Sequence, residues 1–93
     1  MFVGILRLDL LVPGSDSLKD KRRVTRSLIE RLRRRFGVSA AEVDGQGLWQ
    51  RAIVGTCFVS GEQAEVQKAL DGMIAWVSAQ DGVELTSYDM EIR

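Results

Sequence analysis

FVGILRLDLLVPGSDSLKDKRRVTRSLIERLRRRFG, residues 2–37, decides the fold. Residues 2–12 are β-rich, and Phe2, Leu6, Leu8, Leu10 and Val12 share one parity, the alternation of a strand that buries one face. Pro13-Gly14 ends the strand with a turn signal, because proline presets one backbone angle and glycine tolerates the reversal. Ser17 then reads as a helix N-cap, with Asp20 in the capping-box position three residues on. The predicted helix runs from Leu18 to Phe36. At about 100° per residue, Leu18, Val24, Thr25, Leu28, Ile29, Leu32 and Phe36 gather in one broad sector, its core face. Gly37 follows as the C-terminal cap, and Arg33, Arg34 and Arg35 oppose the negative end of the helix dipole.

Downstream, the same strand–helix–strand grammar repeats. Val38 to Val43 reads as a short strand, and Asp44-Gly45-Gln46-Gly47 as a hairpin loop. Leu48 to Ser60 reads as a long strand. Glu62 to Ala79 reads as a second helix with Val66, Ala69, Leu70, Met73, Trp76 and Val77 on one face. Asp81-Gly82 is a turn, and Val83 to Ile92 a last strand. Its parity changes midway: Val83 and Leu85 alternate one way, Tyr88, Met90 and Ile92 the other, which calls for a β-bulge. Two right-handed β-α-β units joined by a hairpin imply an α+β, ferredoxin-like split arrangement. The expected product is one domain over residues 1–93, a four-stranded antiparallel sheet with both helices on one face.

Composition narrows the function. The 93 residues suffice for one core only. There is no histidine, which removes Ser-His-Asp and Cys-His triads, imidazole bases and nearly every catalytic zinc site. Cys57 is the only cysteine, so an intrachain disulfide and a thiolate metal cluster are excluded; it reads as a small buried residue. No catalytic constellation, metal site or cofactor is expected. The N-terminal apolar run is interrupted by Arg7 and Asp9 and has no basic region before it, unlike a signal peptide. No stretch is apolar for the ~18 residues of a membrane span. A cytoplasmic, non-membrane protein is the expectation.

Charge is unevenly distributed. Between Ser15 and Phe36 there are nine cations and three anions, a local balance of +6 in a neutral chain. Lys19, Arg22, Arg23, Arg26, Arg33 and Arg34 occupy a sector about 120° wide opposite the core face, broken only by Glu30. Lys19–Arg23 and Arg22–Arg26 are like-charge pairs at i,i+4 spacing, each costing roughly 0.2–0.5 kcal/mol. The stripe is read as a contact surface for RNA phosphates or another anionic partner, since arginine binds phosphate bidentately; the alternative is a merely solvated face. Stacking aromatics are scarce, so no base-specific reading and no DNA sequence specificity are expected.

The first turn of this helix, Gly14 to Ser17 followed by Lys19, Lys21 and Arg22, offers a phosphate seat on free N–H groups, but Ser17 and Asp20 are placed to fill those groups themselves. The second parity of the first strand gives Val3, Ile5, Arg7, Asp9 and Leu11. In the third strand Trp49, Arg51, Ile53, Gly55, Cys57 and Val59 align. Two helices cover only one face of a sheet, so Val3, Ile5, Arg7, Trp49, Arg51 and Ile53 mark an open face that a second copy of the chain would cover. A homodimeric interaction or regulatory module is the alternative function. Arg7, Asp9 and Arg51 are placed to pair within or across that face. Trp49-Gln50-Arg51 reads either as a packing anchor or as part of a ligand surface. Lys21 with carboxylates is a third, enzymatic, possibility.

The opening strand into Pro13-Gly14-Ser15, the run Ser17-Leu18-Lys19-Asp20-Lys21-Arg22-Arg23, Ser27-Leu28, Arg31-Leu32, Ala41-Glu42-Val43 and Leu48-Trp49-Gln50-Arg51-Ala52 together resemble the YlxP-like family of small bacterial proteins of unknown function. The resemblance covers nearly the whole chain and implies a ferredoxin-like fold. It carries over no catalytic residue. Because such proteins are often encoded beside translation-initiation and ribosome-maturation genes, it implies ribosomal RNA or a ribosomal protein as partner. Gly47 departs from the family, where a polar residue, often Asp, is expected.

Overall fold

A computed structural model describes all 93 residues. The elements are β1 (Phe2–Leu11), α1 (Leu18–Phe36), β2 (Ser39–Asp44), β3 (Arg51–Ser60), α2 (Gln63–Ser78) and β4 (Glu84–Ile92). The sheet order is β2-β3-β1-β4, antiparallel throughout, with β2 and β4 at the edges. This is the ferredoxin-like arrangement that the chain order implies.

Leu6, Leu8 and Leu10 of β1, with Val12 just beyond its end, project to the helix side and are buried with Leu28, Leu32, Val54, Val66, Leu70, Met73 and Val77. Gly4 lies where α2 comes closest: a Cβ there would stand 2.5 Å from Val66 Cγ1, so no larger residue fits. Ser17 caps α1 through its hydroxyl, which accepts from the Asp20 N–H at 3.2 Å. Gly37 closes the helix in the left-handed region (φ 63°) and donates to Arg33 O at 3.0 Å. At the start of α2 the N-cap residue Glu62 makes no side-chain capping bond; its N–H donates to the Ser60 hydroxyl, which in turn donates to Glu65.

Two bulges set the faces. The β1–β4 register shifts between Asp9 and Leu10, leaving Thr86 as the extra residue. Leu85 therefore pairs with Leu10, while Tyr88, Met90 and Ile92 pair with Leu8, Leu6 and Gly4, so both parities of β4 reach the helix side. The Thr86 hydroxyl donates to Asp9 O at 3.0 Å and closes the bulge. The second bulge is at Val43 in β2, between the Glu42–Val54 and Asp44–Ile53 pairs.

The β2–β3 connection is longer than a four-residue hairpin. The third strand begins at Arg51, so 45–50 form a loop.

Candidate functional site

The cations of α1 divide into those the protein consumes and those it leaves free. Lys21 is consumed. Its wheel position is with Thr25, Leu28 and Leu32 (i, i+4, i+7, i+11), inside the core sector, and its side chain is 0% exposed. The ammonium donates to Gly45 O at 2.7 Å, Arg51 O at 3.0 Å and, marginally, Gln46 O at 3.5 Å. Glu42 Oε2 lies 3.2 Å away, an ion pair by distance. That oxygen is nevertheless buried without a well-directed hydrogen bond, so the attraction is Coulombic. Lys21 thus ties the 45–50 loop to α1 and is closed to phosphate or substrate. This corrects the placing of Lys21 among candidate phosphate and enzymatic groups. The N-terminal phosphate seat is likewise filled, by Ser17 itself.

Three further cations have protein partners. Arg33 donates from Nε and Nη2 to Ala40 O at 3.2 and 2.7 Å. Arg31 donates to Gln80 Oε1 at 2.8 Å and lies over the Trp76 ring, 5.4 Å from its centroid. Arg23 stands 3.5 Å from Asp20, an exposed i,i+3 pair of little energetic weight. Lys19, Arg22, Arg26 and Arg34 are exposed and touch no carboxylate of the chain, whereas Arg35, likewise without a carboxylate, lies over the Phe36 ring, 5.9 Å from its centroid. From Lys19 to Arg34 they span about 22 Å of helix. Arg22, Arg26 and Arg33, with Thr25, Ile29, Glu30, Ala41 and Glu42, line a groove of about 450 Å³ between α1 and the β2 edge.

The open sheet face is built differently. Asp9 and Arg51 form a bidentate pair, Nε–Oδ1 3.0 Å and Nη2–Oδ2 2.7 Å. Arg7 stands 3.7 Å from Asp44. The Arg51 hydrogen bonds hold the Asp9 carboxyl below its ordinary range, reinforced by the Arg51 and Arg7 charges against partial desolvation. Ile53 is registered between Asp9 and Asp44 and only 2% exposed. These ion pairs close over it, so Ile53 belongs to the open face by parity but is unavailable to a partner. Val3 and Ile5 are half-buried there. Around Gly55 an apolar depression of about 450 Å³ is lined by Ile5, Ala41, Val43 and Cys57, with Arg7 at its rim. Cys57 is exposed, against the expectation of burial, because nothing covers this face. Trp49 is 57% exposed in the 45–50 loop, so it is not a packing anchor.

No three His, Cys, Asp or Glu side chains converge on a point suited to a metal ion. No helix is long and apolar enough to cross a membrane.

The profile of the family described as Protein of unknown function (DUF503) matches residues 3–90. The chain belongs to the DUF503 family. Over 84 residues it is 29% identical to the uncharacterized protein YlxP of Bacillus subtilis, covering 90% of this chain and 91% of that one. The YlxP-like resemblance of its motifs is thereby shown. Among solved structures, the DUF503 chain superposes on the de novo designed protein Foldit4 with a TM-score of 0.52 at 10% identity, over 100% and 94% of the two chains. It matches the structured domain of Drosophila melanogaster Boca with a TM-score of 0.49 at 20% identity, over 94% and 95%. The Foldit4 superposition, at so low an identity, speaks to the fold alone. The family description attaches no reaction to the fold.

Proposed function

We propose that this DUF503 protein is a non-catalytic RNA-associated module that grips phosphodiester backbone through the exposed cations of α1. The observation that supports this reading is the survival of Lys19, Arg22, Arg26 and Arg34 as unpaired charges after Lys21, Arg23, Arg31 and Arg33 have found partners inside the chain. Keeping like charges side by side on one helix costs stability, and solubility does not require it. A polyanion repays that cost by releasing its counterions. Ribosomal RNA is the first candidate, on the family resemblance.

The test is binding across a salt series. Four phosphate contacts give a slope of log affinity against log salt of about −2.8 on single strands and about −3.6 on duplex. Arg22→Glu/Arg26→Glu/Arg34→Glu should abolish co-sedimentation with ribosomal particles while leaving thermal stability unchanged. Co-sedimentation identical to the parent protein overturns the proposal. Arg33 is excluded from the variant because it holds Ala40 O.

A second reading, a homodimeric interaction module, draws on the apolar depression around Gly55 on the uncovered face.

A further inference from the structure

The β2 edge is not an ordinary open strand edge. β2 pairs only with β3, so every second residue turns its N–H and C=O away from the sheet. Ala40 and Glu42 are those residues, because side chains reach their carbonyls from outside: Arg33 on Ala40 O, and Gln46 Nε2 on Glu42 O at 3.3 Å. The outward acceptors of the edge are thus occupied by the protein's own donors. Of its outward donors, the Glu42 N–H belongs to a residue that lines the groove whose other wall carries Arg22 and Arg26, whereas Ala40 is buried. A strand of another protein adding here needs both kinds of backbone group and finds half of them taken. An anion needs only donors.

We propose that this groove seats the phosphates of single-stranded RNA, with Arg22 and Arg26 on one wall and the Glu42 N–H on the other. The inference rests on the RNA reading above and assigns that reading its seat and its strandedness. A cleft between a helix and the sheet edge beneath it admits one chain. A duplex holds its backbones apart across grooves of ~6–12 Å, does not enter the cleft, and meets α1 along its outward crest, where Lys19 and Arg34 stand nearer the centre and Arg22 and Arg26 at the margin. Two carboxylates border the groove. Glu42 is neutralised by Lys21, whereas Glu30 has no cationic partner and opposes the ligand.

The experiment is fluorescence anisotropy of labelled polyuridine and of an RNA duplex of equal length, with the parent chain and three variants of exposed residues. Polyuridine should bind more tightly than duplex. Arg22→Ala should weaken polyuridine by about two- to fivefold and duplex by less, whereas Arg34→Ala should affect duplex at least as much. Glu30→Gln should tighten polyuridine by about two- to threefold, a gain that misfolding cannot produce. Equal affinity for both RNAs, with equal losses in Arg22→Ala and Arg34→Ala, overturns the groove and leaves the helix face as an RNA surface. Absence of binding to either RNA at low salt overturns both.

Discussion

Replacing Lys21 by Met tests whether the buried ammonium holds the 45–50 loop on α1. The thioether chain follows the path of the lysine stem at similar volume, so packing is conserved and the loss isolates the charge. Gly45 O and Arg51 O lose a charged donor, and Glu42 is left without its counter-ion. Removing one partner of a buried pair costs about 3–5 kcal/mol. The Glu42 side chain keeps 16% exposure and gains some hydration after the change, which places the cost near the lower end, about 3 kcal/mol. A domain of this size is stable by roughly 5–15 kcal/mol. The melting temperature should therefore fall by about 12–24 °C, at ~4–8 °C per kcal/mol. Urea unfolding followed by circular dichroism at neutral pH gives the number. Glu42→Gln added to the variant should recover part of the loss, because it removes the uncompensated charge, whereas the same change in the parent should be destabilising. A Lys21→Met variant within 1 kcal/mol of the parent, with an unchanged denaturant slope, refutes the reasoning; the ammonium would then have to reach water.

Asp9→Asn should change the acid limb of the stability curve. The folded Asp9 pKa lies below the unfolded value, so its contribution is complete above ordinary carboxylate pKa values and disappears as pH falls through the folded pKa. Parent and variant should therefore differ at neutral pH and converge in acid, and a constant gap by chemical denaturation at every pH would contradict the Asp9–Arg51 pairing. For the second reading of function, sedimentation equilibrium should show a dimer that Ile5→Lys dissociates. A monomer at high concentration removes that reading. Ile53 is unsuitable for this purpose, since its burial beneath the ion pairs makes Ile53→Lys a folding mutation.

Much of this architecture is written in local periodicity. The parity of β1, the wheel of α1, Ser17 and Gly37 as caps, and the parity change that demands a bulge in β4 are properties of neighbouring residues, and chain order does the rest. Lys21 was legible too, since it stands one turn before Thr25 and two before Leu28 in the core sector, but a cation in that register is easily counted with the stripe beside it. Reading Lys21 as a candidate phosphate or enzymatic group failed because its acceptors lie 24 to 30 residues away, in the 45–50 loop and at the start of β3.

Sequence by itself determined the six elements, their order, the two faces of each strand and the excess of positive charge on α1. Only tertiary structure decided which of those charges are free. Periodicity reports what a residue's own helix or strand presents, whereas the partner of an ion is delivered by another element, at distances set by folding. Arg33 meets Ala40, Lys21 meets Gly45 and Arg51, and Asp9 with Arg51 shelters Ile53, each through contacts across the sheet or between layers. Cys57 and Trp49 follow the same rule: their exposure depends on what the sheet leaves uncovered, which no local pattern records.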